Sequence, residues 1–408
     1  MKRIFVIGGG AAGMTAAINS KRMNSEVTII ERLNDVGKKI LVTGNGKCNY
    51  FNDDMNPKYY HSSSKYDFSG IINETNIVRV LMFMKSLGVE PSIKNGYFYP
   101  HSNQAISMVN TLNKELKVKG INVITDEIVN SITKEGKIFK IKTNMNTYEC
   151  DAVVLATGSK AFYKFDNNSY SIPASFGHTI INVLPSLVQI KCEGKYFKDI
   201  KGVRTNAKVS LYTDKELTKE STGELQITEY GISGICAMQL SGLVSINESK
   251  NKESIIKVNF LPDLFNTKEE LKLYLKNKNV ITQNRTITDL LDSLLNYKLS
   301  NMFINMYKLT GYESLDEIED NILNKLCESI ISFEIKAYST NGFNEAQVCS
   351  GGVSLDEVNM NTMESKLVSE LYFAGEILDV DGDCGGYNLA FAWISGIIAG
   401  MNAGEIRD

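Results

Sequence analysis

An α/β fold built on an opening βαβ unit and a parallel sheet is predicted for this 408-residue chain by three observations. A short apolar run, Ile4 to Ile7, meets Gly8-Gly9-Gly10-Ala11-Ala12-Gly13 at once. A second run, Val27 to Ile30, ends in Glu31, and a third, Ala152 to Leu155, ends in Ala156-Thr157-Gly158. Each run is short and mostly β-branched, the pattern of a strand covered on both faces.

Between the first two runs, Ala11 through Arg22 is rich in alanine and reads as a helix. Gly8, Gly10 and Gly13 then fit G-x-G-x-x-G between strand and helix, and Glu31 lies 23 positions after Gly8, near the ~20 of a dinucleotide fingerprint. Gly8 permits the tight turn, Gly10 lets a pyrophosphate approach the backbone, and Gly13 lets helix and strand pack closely. The free N–H groups at the helix start favour an anion. Glu31 would accept a hydrogen bond from a ribose hydroxyl and repel a 2′-phosphate, so the adenosine moiety is expected to be FAD-like or NAD-like. The competing reading is an ordinary glycine-rich turn, and the flanking strand, helix and acid argue against it.

Residues 37 to 49, Gly-Lys-Lys-Ile-Leu-Val-Thr-Gly-Asn-Gly-Lys-Cys-Asn, form a second glycine loop. A phosphate-cradling P-loop needs a glycine where Leu41 stands. Dense Gly and Asn instead suit close backbone approach to a planar ring or a diphosphate, against the alternative of a solvated loop. Near the end, Leu371 to Ala374 reads as a strand, Ile377 to Gly386 as a loop, and Tyr387 to about Ala399 as a helix. A helix start aimed at a flavin's pyrimidine edge would stabilise the negative charge gathered on reduction. The apolar stretch Leu389–Met401 is too short for a membrane span, and its Gly396 and Gly400 suit a buried helix.

Composition narrows the function classes. Lys and Arg number 44 against 47 Asp and Glu, a net charge of −3, so nothing basic invites nucleic acid. Seven cysteines, odd in number and without a C-x-x-C pair, argue against a disulfide framework or a metal site, and the three histidines are not at ligand spacing. The Lys2-Arg3 start resembles a signal peptide, but Gly8 to Gly10 cut its apolar run short of ~7–15 residues. A reducing cytoplasm, with no membrane contact, is the expected address.

Gly8–Gly13, Thr43–Asn49, Gly96–Pro100, Ala156–Gly158, Gly231–Gly234, Gly351–Val353, Thr362–Lys366 and Gly375–Leu389 together resemble the HI0933-like (BaiN-like) flavoprotein family over nearly the whole chain. The GKCN loop and the GGYN helix start carry the specificity of that match. The resemblance implies a non-covalent FAD in a glutathione-reductase-like Rossmann fold with an inserted β-rich domain and an inserted helical domain. It divides the chain into 1–186 with 348–408, which bind FAD, 187–262 with 333–347, which are β-rich, and 263–332, which are helical. The cofactor contacts expected are Gly8, Gly10, Ala11, Ala12, Gly13, Glu31 and Arg32, then Lys39, Gly44, Asn45, Gly46, Cys48 and Asn49. Val129, Ala156, Thr157 and Gly158 follow, with Gly375, Glu376, Asp379, Gly386, Tyr387, Asn388 and Leu389 in the closing segment. One departure is the segment Asp166-Asn167-Asn168-Ser169-Tyr170, where similar proteins carry a Thr-Gly-Asp-Gly-Tyr type turn.

Alternating patterns at Leu187–Cys192, Thr205–Tyr212, Glu224–Thr228 and Ile255–Phe260 predict antiparallel strands. Beyond Thr267 helical signals dominate, with capping boxes at Thr267/Glu270 and Ser314/Glu317. The expected activity is hydride transfer between flavin N5 and a small organic substrate or NAD(P)H. No second fingerprint provides a nicotinamide domain, so NAD(P)H would dock transiently. No sequence feature fixes the catalytic residues or the oligomeric state. Cys48, Cys384 and Tyr387 are the catalytic candidates, with packing or cofactor contact as the competing reading. An NAD-dependent dehydrogenase, and a flavoprotein that binds or modifies RNA, are the alternatives.

Overall fold

The computed structural model describes residues 1–64, 66–161, 168–283 and 285–405. They form two compact units, Met1–Leu184 with Val348–Asp408, and Pro185–Gln347. Asp166 and Asn167 of the departing segment lie outside the described residues.

The first unit is a Rossmann fold on a seven-stranded sheet. Lys2–Ile7 lies inside it, parallel to Ser25–Ile30 on one side and to Ala152–Leu155 on the other, with Ile4 opposite both Val27 and Ala152. Asn122–Ile124 and Leu371–Phe373 extend the sheet in parallel, and the short strands Glu364–Ser365 and Val358–Asn359 close one edge antiparallel. Because both faces are covered, Ile4, Val6, Val153 and Val154 are wholly buried. The parallel sheet predicted from the three apolar runs is therefore present.

Two helices of this unit, Ala11–Ser20 and Tyr387–Ala403, lie against each other. A Cβ at Gly396 would sit 2.7 Å from the Ala12 carbonyl oxygen, at Gly400 2.3 Å from that of Ala16, and at Gly404 2.6 Å from that of Ser20. Every fourth residue on each helix is small, so the two backbones touch. The helix Tyr387–Ala403 is apolar because it is buried on nearly all sides, with Trp393 fully covered. No helix is long and apolar enough to cross a membrane among the described residues.

The second unit holds a closed six-stranded barrel in the order Ile190–Cys192, Gly231–Ser233, Glu216–Thr228, Arg204–Thr213, Ser254–Asn259 and Phe333–Thr340. The helix Ile235–Ser249 buries Ala237, Leu240 and Val244 in the same core. Both expected capping boxes form, at Thr267/Glu270 and Ser314/Glu317, and a third forms at Thr286/Asp289. The stretch 263–332 does not separate as a domain of its own. Phe303, on the helix Tyr297–Met306, packs its ring 5.7 Å from Phe333 of the barrel and 5.8 Å from Phe260, so helices and barrel share one apolar core. Pro185 and Ser186, expected with the first unit, belong to the second.

Candidate functional site

The three fingerprint glycines are needed for three different reasons. Gly8 has a φ of +102°, and a Cβ there would lie 2.4 Å from the Ala156 carbonyl oxygen. A Cβ at Gly13 would lie only 1.9 Å from the Gly8 carbonyl oxygen, so helix and strand meet there without a spacer. At Gly10 nothing approaches within 4 Å. Gly10 is also the N-cap of the helix Ala11–Ser20 and supplies no capping side chain, so the N–H groups at Ala11 and Ala12 face open space. Beside this turn, Ala156 donates its N–H to the Ile7 carbonyl at 2.9 Å, and the Thr157 hydroxyl is buried with no hydrogen-bond partner. Gly158 has a φ of +71° and likewise has open space where a side chain would stand. An uncapped helix start, two glycines facing emptiness and an orphaned hydroxyl suit a diphosphate and its attached sugar chain.

Glu31 is buried, and its carboxylate is already at work. One oxygen accepts from the Gly9 N–H at 2.6 Å and the other from the Leu33 N–H at 2.8 Å. Each carboxylate oxygen can accept a further bond, so Glu31 braces the glycine turn and keeps capacity for a ribose hydroxyl. Arg32 next to it is half-buried. Glu127 donates its backbone N–H to the Glu31 carbonyl at 3.1 Å, which brings the start of the strand Val129–Glu135 to the same end of the sheet. The Val129 side chain is buried, leaving its backbone as the part able to face an adenine.

The second glycine loop is tied to the first by the Gly37 N–H, which donates to the Gly9 carbonyl at 2.8 Å. Lys39 does not stand free for a phosphate: its ammonium pairs with Glu376 at 2.5 Å, and the Ser159 hydroxyl donates to the same carboxylate oxygen at 3.3 Å. Gly44, Asn45, Gly46 and Cys48 all take left-handed backbone conformations, with φ between +54° and +79°. That run is possible because glycine and asparagine tolerate it. It leaves Gly44, Asn45 and Gly46 exposed. The run also turns the Cys48 side chain wholly into the core, where burial pushes its thiol up to about 12. That burial suits the competing reading of Cys48 as a packing residue.

The closing segment folds onto that loop. Asn52 donates its side-chain N–H to the Gly385 carbonyl at 2.8 Å, and Trp393 donates its indole N–H to the Tyr50 carbonyl at 3.0 Å. The Asn49 amide, oriented by its neighbours, donates to the Phe51 carbonyl at 3.0 Å and accepts from the Gly386 N–H at 3.3 Å. Gly375 has a φ of +74° and leans on Ala12, with its N–H held by Ser395 at 2.9 Å. Asp379 is buried and accepts from the Ser63 N–H at 2.9 Å and the Ser62 hydroxyl at 3.0 Å, while burial pushes its carboxyl up. The Asn388 side chain closes its own loop, accepting from the Gly382 N–H at 2.8 Å and donating to the Gly382 carbonyl at 2.7 Å. Its amide is therefore spent, and only the backbone of the helix start faces outward. Leu389 is half-buried beside it.

Tyr387 is buried, with its ring stacked on Tyr59 at 4.7 Å and edge-on to Tyr60 at 5.9 Å. Burial pushes its phenol well above the usual range, and that of Tyr97 in the same direction. Cys384 is half-buried, and burial raises its thiol too, with the Asp383 charge adding to the effect. His178 packs edge-on against Phe373 at 4.9 Å and meets the Ser365 hydroxyl at 2.8 Å, a core histidine whose burial lowers its pKa.

The expected residues from both ends of the chain thus gather on the first unit. Sequence reasoning missed Ser62 and Ser63, which hold Asp379, and the phenols of the strand Tyr97–Pro100. The signal for the latter was present in Tyr97-Phe98-Tyr99, whose alternation separates two phenols from one phenyl.

A family model described as HI0933-like protein Rossmann domain matches residues 2–402. A 3-dehydro-bile acid delta(4,6)-reductase of Clostridium scindens is 35% identical over 411 residues, covering 99% of this chain and all of the relative. A ribosomal RNA dihydrouridine synthase of Haemophilus influenzae is 26% identical over 399 residues, covering 96% of this chain and 95% of that one. Among solved structures, a 3-ketosteroid-delta4-(5alpha)-dehydrogenase from Rhodococcus jostii is similar with a TM-score of 0.48 at 13% identity, covering 99% of this chain and 97% of the other.

Proposed function

The chain belongs to the HI0933-like protein family, whose model matches residues 2–402, and on that premise we propose that this FAD-dependent oxidoreductase reduces a carbon–carbon double bond conjugated to a carbonyl group. The observation that carries the reading is the full-length likeness to a reductase acting on 3-dehydro-bile acids. FAD, once reduced, supplies a hydride from its N5. The hydride is added at the β-carbon and a proton at the α-carbon, so one two-electron reduction consumes one C=C bond.

The residues supply orientation and electrostatics. The uncapped helix start at Gly10 and the open backbone at Gly158 hold the diphosphate, Thr157 offers its unused hydroxyl, and Glu31 takes the ribose. The start of the helix Tyr387–Ala403, which has no capping side chain, would stabilise negative charge on the pyrimidine edge of a reduced flavin. The Lys39–Glu376 pair fastens the second loop to the closing segment and keeps both ring-facing loops in place. NAD(P)H, docking transiently, is the proposed electron source.

The likeness to a ribosomal RNA dihydrouridine synthase favours a second reading, in which the reduced bond lies in a uracil ring of RNA. That bond is also conjugated to a carbonyl, so the two readings share one reaction. The net charge of −3 weighs toward the small molecule.

Anaerobic stopped-flow decides. The flavin is reduced with NADH or NADPH and then mixed with a steroidal 4-en-3-one, with a uridine-containing RNA, or with oxygen. Reoxidation by the enone at a rate well above that by oxygen is expected. Reoxidation by RNA alone moves the assignment to the second reading, and rapid reoxidation only by oxygen with peroxide release replaces reductase by oxidase.

A further inference from the structure

We propose that Tyr97 and Tyr99, backed by Tyr59 and Tyr387, form the platform on which a flat, uncharged, fused-ring enone rests. The inference depends on the reductase reading and names the substrate class for it. Its basis is the alternation of the strand Tyr97–Pro100. Phe98 turns inward, meeting Phe51 at 5.6 Å and Tyr50 at 6.0 Å, both edge-on. Successive side chains leave a strand on opposite faces, so Tyr97 and Tyr99 share the other face, on which Asn52, paired with Tyr97, reaches Gly385.

That face lies against both glycine loops. A Cβ at Gly385 would be 3.0 Å from Tyr97 Cε1 and 3.1 Å from Tyr387 Cε2, and a Cβ at Gly44 would be 3.6 Å from Tyr99 Cε1. Glycine at these positions is what lets the rings approach the loops expected to hold the flavin. Beside them Tyr59 stacks on Tyr387, and Lys58 sits over the Tyr59 ring at 4.8 Å. Tyr97 and Tyr99 are half-buried. Hydroxyls on rigid rings combine apolar area with donors for a carbonyl oxygen, which suits a large ring system carrying one polar end.

The surrounding charges weigh against a phosphodiester chain. Asp53 lies against Gly96 at the turn before Tyr97, Asp54 accepts from the Tyr59 hydroxyl at 2.6 Å, and Asp383 pairs with His61 at 2.8 Å. Three carboxylates at the rim repel a phosphodiester chain and leave a neutral ring system unopposed.

The test uses FAD-loaded full-length protein, with testosterone as the probe and perturbation of the oxidised flavin's visible band as the readout of binding. Tyr97→Ala and Tyr99→Ala should each weaken binding about tenfold or more. Tyr97→Phe and Tyr99→Phe, which keep the ring, should lose less. In the Phe variants, which keep the ring against Gly385 and Gly44, FAD content and melting temperature should stay at the parental values. Reoxidation of the reduced flavin by testosterone is followed in parallel. If the alanine variants bind as the parent does while testosterone still reoxidises the flavin, the platform is overturned and the reductase reading stands. If binding is lost as expected but bound testosterone never reoxidises the parent's flavin, the platform stands and the reductase reading falls. Binding of oligouridine in place of testosterone, or of neither, overturns the platform.

Discussion

Gly10 and Gly13 are three positions apart and should fail differently when given a methyl group. Gly13→Ala forces a carbon toward the Gly8 carbonyl oxygen, from which a Cβ there would be only 1.9 Å away. It should destabilise the apoprotein by about 1–3 kcal/mol, seen as a lower melting temperature before any cofactor is added. Gly10→Ala meets nothing within 4 Å and takes a φ of −79° that alanine accepts. The apoprotein should melt as the parent does, while FAD affinity in a fluorescence titration falls by about tenfold or more because the methyl occupies the space of the diphosphate. Equal melting losses in the two variants would refute this division of labour. Glu31→Gln should weaken FAD retention and also lower apoprotein stability by about 1 kcal/mol, since the carboxylate bonds to the Gly9 and Leu33 N–H groups are lost in part. At this scale the glycine pattern and the buried acid were legible in the sequence. The spending of Lys39 on Glu376, of Asn388 on Gly382 and of Asp379 on Ser62 and Ser63 was not. Two of those choices join residues more than 300 positions apart, and no local spacing encodes them.

Between elements, the closest contact in the first unit is that of Ala11–Ser20 with Tyr387–Ala403. Gly400→Ala would bring a methyl to 2.3 Å from the Ala16 carbonyl oxygen and push the helices apart. A loss of about 1–3 kcal/mol is expected, read as a lower urea midpoint, whereas Gly136→Ala at an open hairpin turn with a φ of +61° tests the cost of backbone strain alone. If the two cost the same, crowding at the helix contact is not the cause. The strands of the parallel sheet were readable because burial on both faces leaves unbroken apolar runs. The helix Ile235–Ser249 was not, since it is apolar on several sides and shows no 3.6-residue stripe. Closure of the barrel by Gly231–Ser233, only three residues long, had too little pattern to announce itself.

For the molecule as a whole, alkaline conditions are the exposed flank. Burial pushes Cys48, Cys150, Cys192, Cys236 and Cys327 up to about 12, and Cys349 to about 11, from an ordinary 9.0. An unfolded chain would release these protons near 9 while the folded chain retains them, so the unfolded state binds fewer protons across that window. The stabilisation is complete below about pH 9 and falls as pH rises toward 12. Urea midpoints taken below and inside that window should drop steeply, and a flat profile would oppose the buried-thiol account. The convergence of the two termini on one site was legible from the glycine loops and the GGYN helix start. The merging of helices and barrel into one unit was not, because a shared core is a property of pairing across distance. The interleaved glycine contact also has a consequence in time. Gly396, Gly400 and Gly404 fill the groove that Ala12, Ala16 and Ser20 present. On a ribosome adding roughly 5–20 residues per second, that groove waits about 20–80 s for its partner, so in the newborn polypeptide it stays uncovered until Gly396 to Gly404 emerge.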